Sequence, residues 1–168
     1  MRREIGLTPT TFLDLHHLAE QLGVKLVHHS GGVKGWYHHP TRTISTRRGM
    51  STAQYKSTLA HELGHAFYGD VTTGHGWFDT RTEHRADQYA ARLLITPEDF
   101  HDAYIWHGGH LPAIADDLEV THHLLATWLT QERTRPPWAY DSAQVSAPSD
   151  TPSLSPRSLA TPGVLPTE

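Results

Sequence analysis

The sequence contains no cysteine among its 168 residues. Without cysteine the protein has no disulfide framework and no thiolate that could hold a zinc ion. Its apolar stretches are short and broken by charged residues, so we expect no segment that spans a membrane. Arg2 and Arg3 are followed by no apolar core of the kind found in signal peptides. These absences predict a cytoplasmic protein.

Positive charge is also scarce, and this bears on nucleic-acid binding. The formal net charge is −4, and no Lys or Arg lies between Arg92 and Arg133. The apolar spacing over 111–129 resembles a helix-turn-helix, but that segment carries Asp116, Asp117 and Glu119. A DNA reader needs basic and amide side chains on its second helix. We therefore expect this segment to pack on the core or contact a protein, and direct DNA binding is not expected.

Histidine, in contrast, is abundant, and it forms one informative string. Among 15 histidines, two occur in His61-Glu62-Leu63-Gly64-His65, an H-E-x-x-H pattern that this composition yields by chance only about 0.06 times. Two histidines four apart lie on one face of a helix, so both imidazoles can reach one cation. The glutamate between them can take a proton from an attacking water. This pattern is typical of a zinc-dependent peptidase, with manganese as the alternative metal.

The residues around the string predict that it lies in the middle of a helix. Ser51 and Gln54 fit a capping box at its start, and Gly69 fits its end. Apolar residues recur at three- and four-residue intervals and predict one buried face: Tyr55, Leu59, Leu63, Ala66 and Phe67. The two histidines and Glu62 flank this face, as the chemistry requires.

A catalytic zinc usually has three protein ligands and one open position, so a third ligand is needed. Glu83 is the main candidate, and it opens a second amphipathic stretch marked by Ala86, Tyr89, Ala90, Leu93 and Leu94. Asp87, four residues on, can orient a ligand histidine by accepting a hydrogen bond from its free ring nitrogen. Thr80 and Glu83 also fit a capping box, in which Glu83 would only stabilise a helix start. His75, Asp79 and His84 remain competing ligands.

The whole chain is predicted to be α+β. A first helix with Phe12, Leu15, Leu18 and Leu22 ends at Gly23, a strand covers 24–27, and segments 35–38 and 42–46 form a hairpin. With the two ligand helices these elements make a small zincin-like core over 1–97. A helical, helix-turn-helix-like extension over 98–135 packs on that core, and a Pro-, Ser- and Thr-rich disordered tail occupies 136–168. If 42–46 is an edge strand, an extended peptide could add to it and pass the metal.

The string at 61–65, followed by Glu83, Ala86, Asp87 and the apolar residues up to Pro97, resembles the ImmA/IrrE metallopeptidases of bacteria, mobile elements and phages. The resemblance covers about residues 10–130. It implies a gluzincin-like zinc endopeptidase that cleaves a helix-turn-helix repressor, with metal on His61, His65 and Glu83 and with Glu62 as general base. Asp70 departs from the pattern, because relatives often carry a histidine there, and this is expected to alter the rim of the site.

Several further roles are expectations from the sequence. An oxyanion donor is needed, and Tyr37, His38, Tyr68 and His101 are the candidates. Most histidines in adjacent pairs, such as His122 and His123, are expected at the surface because neighbours diverge on a helix or strand. The protein is expected to be a monomer whose partner is its protein substrate. The alternative function is a non-catalytic metal-containing module that binds a repressor or antitoxin; the intact Glu62 argues against it.

Overall fold

The computed structural model describes residues 12–71 and 76–134, with side chains over 14–71 and 80–134. Within these residues six helices and three strands follow one another in this order: α1 (Phe12–Gln21), β1 (Lys25–His29), β2 (Gly35–His38), β3 (Thr43–Arg47), α2 (Thr52–Tyr68), α3 (Gly76–Leu94), α4 (Pro97–Trp106), α5 (Leu111–Asp117) and α6 (His122–Thr134). The predicted α+β class is confirmed. No helix in the described part of the chain is both long enough and apolar enough to cross a membrane.

The three strands form one mixed sheet in the order β1-β3-β2. β2 and β3 pair in antiparallel fashion, Tyr37 opposite Ile44, so the predicted hairpin is confirmed. β1 pairs in parallel with the other side of β3, with Leu26 opposite Ile44. Segment 42–46 therefore forms the central strand, and the condition for peptide addition to it, an edge position, is not met. A hairpin pattern shows that two segments pair, but it does not show on which side an earlier strand will join.

Helix α2 begins and ends where the local sequence signals predict. The Ser51 hydroxyl accepts a hydrogen bond from the backbone of Gln54, and the Gln54 side chain bonds back to the Ser51 backbone. Gly69 ends the helix in the left-handed conformation, with φ of 68°. Leu59, Leu63 and Ala66 are buried as predicted, whereas Phe67 is 55% exposed and stacks on Tyr89. One buried face of α2 therefore rests on the core, and its C-terminal turn is open.

Helix α3 crosses α2 very closely at Gly64. A Cβ atom on Gly64 would lie 3.0 Å from the Cα of Ala86 and 3.2 Å from its carbonyl oxygen. Small residues on both helices thus allow the backbones to meet beside the H-E-x-x-H string. Because α3 begins at Gly76, Thr80 and Glu83 both lie inside it. The capping-box interpretation of Glu83 is wrong, since the helix starts before Thr80.

Helices α4, α5 and α6 follow, and α6 packs on α3. Thr96 caps α4, and the buried residues of this part join the same core as α2: Ala103, Ile114, Ala115, Val120, Leu124, Leu125 and Trp128. The predicted domain limits at 97 and 135 and the helix-turn-helix character of 111–129 stay predictions. The predicted tail over 136–168 lies outside the described residues.

Candidate metal centre

Three potential metal ligands converge where α2 crosses α3. The Nε2 atoms of His61 and His65 are 3.1 Å apart. One carboxylate oxygen of Glu83 lies 3.2 Å from the His61 Nε2, and the other lies 3.4 Å from the His65 Nε2. Within the part of the chain that the structure describes, this is the group whose ligand atoms come close enough to share an ion, all within 4.8 Å. The close crossing at Gly64 brings the third residue to the first two.

Each histidine of this cluster is held from behind by an aspartate. The Nδ1–H of His61 donates to Asp87 Oδ1 at 2.8 Å, and the Nδ1–H of His65 donates to Asp70 Oδ2 at 3.0 Å. A carboxylate can only accept, so it fixes the proton on Nδ1 and leaves the Nε2 lone pair free. Both Nε2 lone pairs therefore point into the space they share with Glu83.

That arrangement of lone pairs suits a cation. Two imidazole lone pairs and a carboxylate repel one another unless a positive charge lies between them. Ligands about 2.0–2.1 Å from a tetrahedral zinc lie roughly 3.3 Å from each other, and the observed separations are 3.1, 3.2 and 3.4 Å. Two histidines and one glutamate are also a ligand set used by catalytic zinc. The residues present fit a zinc ion, and the donor set admits other divalent metals as well.

The negative groups around His61 also favour its protonated, positively charged form. Burial acts to lower the pKa of His61, but the hydrogen bond to Asp87 and the charges of Glu62, Asp87 and Glu83 outweigh it. The pKa of His61 is therefore raised above its usual 6.5. In the metal-free protein a proton on His61 can supply the positive charge among these groups.

Glu62 is 6% exposed and lies beside this cluster. The pKa of the Glu62 carboxyl is raised from 4.5 to about 7, chiefly by burial and also by the negative charge of Glu83, although His61 and the backbone N–H of Tyr37 act in the opposite direction. A carboxyl with a pKa near neutrality can both accept and return a proton. The local environment therefore suits Glu62 to general-base chemistry.

Strand β2 runs directly alongside Glu62. A Cβ atom on Gly35 would lie 3.0 Å from Glu62 Oε1 and 2.5 Å from Cγ2 of Thr58, so only glycine fits here without displacement. Two residues later, the Tyr37 N–H hydrogen-bonds the Glu62 carboxyl. Gly35 and Tyr37 of β2 thus hold the Glu62 carboxyl in place.

Of the three competing ligands, one is bonded to a residue outside the cluster, and the side chains of the other two lie outside the described part of the structure. His84 is exposed, and its Nε2 bonds the side-chain amide of Gln88 on the same helix. His75 lies outside the described residues, as does the side chain of Asp79. The four oxyanion candidates stay untested: the Tyr37 hydroxyl contacts His39, His38 contacts Thr41, Tyr68 lies under Arg85, and His101 is exposed on α4.

Two residues near the site were not assigned their roles from the sequence. Asp70 was expected only to alter the rim, but its side chain is 10% exposed, bonds His65 and pairs with Arg85. Its position directly after the left-handed Gly69, which turns the chain back toward the helix, was the available signal. His123, expected at the surface, donates from Nε2 to Asp87 Oδ2 at 2.8 Å. No sequence signal links it to a partner 36 residues away.

A protein-family model described as an IrrE N-terminal-like domain, Peptidase_M78, matches residues 19–128. The matched region is more than half of the chain and includes the sheet, the three clustered residues, Glu62, Asp70, Asp87 and His123. No curated protein is similar enough to the chain to count as a match.

Proposed function

The chain belongs to the Peptidase_M78 family, the proteins with an IrrE N-terminal-like domain, and on that premise we propose that it is a zinc-dependent endopeptidase. The observation that carries the proposal is the spacing of His61, His65 and Glu83, which matches a tetrahedral zinc site next to a buried glutamate. A purely structural zinc site would complete its ligand set with a fourth protein residue and would have no use for a general base.

In this mechanism His61, His65 and Glu83 hold the metal, and Glu62 handles the protons. Bound zinc would polarise the scissile carbonyl and lower the pKa of water. Glu62, with its raised pKa, takes the proton from the attacking water and returns it to the leaving nitrogen of the cleaved bond. Asp70 and Asp87 keep the two histidines in the tautomer that presents Nε2.

The substrate backbone is proposed to lie along β2. β2 is an edge strand of the described sheet. The Glu62 carboxyl lies next to it, close to Gly35 and hydrogen-bonded to the Tyr37 N–H. An extended peptide that adds to a sheet edge gains main-chain hydrogen bonds without a requirement for particular side chains. A peptide laid along β2 would bring its backbone past the Glu62 carboxyl.

The proposed substrate is a helix-turn-helix repressor, which cleavage inactivates. This part rests on the likeness to the ImmA/IrrE peptidases. A helix-turn-helix repressor encoded beside the gene for this protein would be the first substrate to test, by incubating the two purified proteins and mapping any cut by mass spectrometry. Intact repressor after incubation with zinc-loaded protein would contradict this choice of substrate.

Glu62→Gln tests the catalytic assignment itself. The amide is nearly the same size as the carboxyl but cannot accept a proton, so the variant should fold and bind one zinc per chain while losing cleavage by at least about 100-fold. Zinc content and cleavage are measured on the same preparation. Wild-type cleavage by this variant would refute Glu62 as the base, and a fourth protein ligand in the zinc-loaded protein would favour the non-catalytic module.

A further inference from the structure

Asp87 accepts two hydrogen bonds from two different helices. Its Oδ1 accepts from His61 Nδ1 on α2, and its Oδ2 accepts from His123 Nε2 on α6, each at 2.8 Å. Burial acts to raise the pKa of Asp87, but the bonds from His61 and His123 and their positive charge outweigh it and lower the pKa. The carboxylate form is thus stabilised from both sides.

A second bond on Asp87 has a mechanical consequence. A carboxylate held at one oxygen can still rotate about its Cβ–Cγ bond, because that torsion has a broad energy profile. A donor on the second oxygen removes this freedom and fixes the direction in which the first oxygen accepts. The imidazole of His61 then has one preferred orientation, with Nε2 directed toward His65 and Glu83.

The backbone that carries His123 is firmly placed, although the His123 side chain itself is 71% exposed. Thr121, just before α6, accepts from the backbone of Leu124 and donates its own N–H to Ser57 Oγ on α2. Leu124 and Leu125, directly after His123, are 2% exposed. The exposed imidazole therefore extends from a segment that the core and α2 hold in position.

We propose that His123 is a positioning residue of the metal centre, and that it acts through Asp87 on the ligand His61. This proposal rests on the zinc site of the proposed function. Helix α6 of the helical extension thus completes the chain of hydrogen bonds His123–Asp87–His61. Both the core and the extension therefore contribute to metal binding.

The test is zinc affinity, measured by competition with a chromophoric chelator for wild type and His123→Ala. Removing a direct partner of a ligand typically weakens metal binding 10–100-fold, so a residue one step further away should cost about 3- to 10-fold. The d–d absorption of the cobalt-substituted protein should also broaden or shift, because the His61 ring is less constrained. His123→Gln, which keeps an N–H donor, should recover part of the affinity.

His122→Gln is the matched control, because His122 is the exposed neighbour on the same helix turn. It should bind zinc as tightly as wild type. A double-mutant cycle shows the route: in an Asp87→Ala background, His123→Ala should cause no further loss. Equal zinc affinity and an unchanged cobalt spectrum for His123→Ala, or the same loss in both backgrounds, would overturn the proposal. If wild type itself bound no zinc, the proposed function would fail instead.

Discussion

At the scale of single residues, the buried Glu62 makes the stability of the metal-free protein depend on pH. Its pKa is about 7 in the folded protein against 4.5 as a reference, so the folded state favours the protonated carboxyl. The raised pKa of His61 acts in the same direction, because its charged form is stabilised and is lost as pH rises. Asp87, with its lowered pKa, is ionised throughout this range and adds no slope.

We therefore predict that the melting temperature of the zinc-free protein falls as pH rises from 5 to 8. Ionisation of Glu62 alone should cost on the order of 3 kcal/mol of unfolding free energy across its shift. Glu62→Gln removes that contribution. Its melting temperature should therefore depend less on pH and should be higher than that of wild type at pH 8. Thermal melts in the presence of a chelator measure both. A wild-type melting temperature that rises with pH would show that the pKa of Glu62 is not raised in the folded protein.

Asp70 gives a second prediction at this scale. It is the carboxylate that fixes the tautomer of His65, and its replacement by asparagine weakens that constraint. Asp70→Asn should weaken zinc binding by about 10- to 100-fold, as expected for partners of metal ligands. Asp102→Asn, at an exposed aspartate of α4, is the control and should leave zinc affinity unchanged. If the two variants bound zinc equally well, Asp70 would only be an ion-pair partner of Arg85.

At the scale of elements, the centre depends on how closely α2 and α3 approach each other. In a helix interior, alanine is normally more stable than glycine by about 1 kcal/mol. Gly64→Ala should nevertheless destabilise the protein by about 1–3 kcal/mol, because its Cβ would press on the backbone of Ala86. It should also weaken zinc binding, since Glu83 moves away with α3. Denaturant unfolding and chelator competition measure the two effects.

The loss of stability in Gly64→Ala could come from contact with the Ala86 backbone or with the Ala86 methyl group. Adding Ala86→Gly, which removes only the methyl group, separates these two causes. The atoms closest to a new Cβ are the Cα and carbonyl oxygen of Ala86, which glycine retains. The double variant Gly64→Ala/Ala86→Gly should therefore be little more stable than Gly64→Ala alone. Full recovery would show that the Ala86 methyl, at 3.3 Å, sets the limit, and not the helix backbones.

The elements differ in how far the sequence predicts them, and the difference follows the range of the interactions. The limits of α2 depend on Ser51, Gln54 and Gly69, which act within one turn, and they were predicted. His61 and His65 came together for the same local reason. The place of β3 at the centre of the sheet depends on where β1 returns, which local patterns do not encode. The bond of His123 to Asp87 likewise needs the packing of α6 on α3.

At the scale of the whole molecule, zinc is expected to join α2 to α3 and so to contribute to folding. A ligand present at 1,000 times its dissociation constant stabilises the native state by about 4 kcal/mol, which is roughly 10 °C in melting temperature for a chain of this size. Chelator treatment should lower the melting temperature by about that amount, and stoichiometric zinc should restore it. Magnesium, which prefers oxygen ligands, is the control and should restore nothing.

The close-packed α2 segment also has a consequence for protein engineering. Twenty consecutive residues, 51–70, contain a helix start, both histidines, Glu62, a left-handed stop and the carboxylate that orients His65. A host scaffold would need to add a crossing helix, with an alanine at the contact and a glutamate and an aspartate four residues apart, and an edge strand beside Glu62. Residues 51–70 are thus a compact starting unit for transplanting a hydrolytic metal site into a new fold.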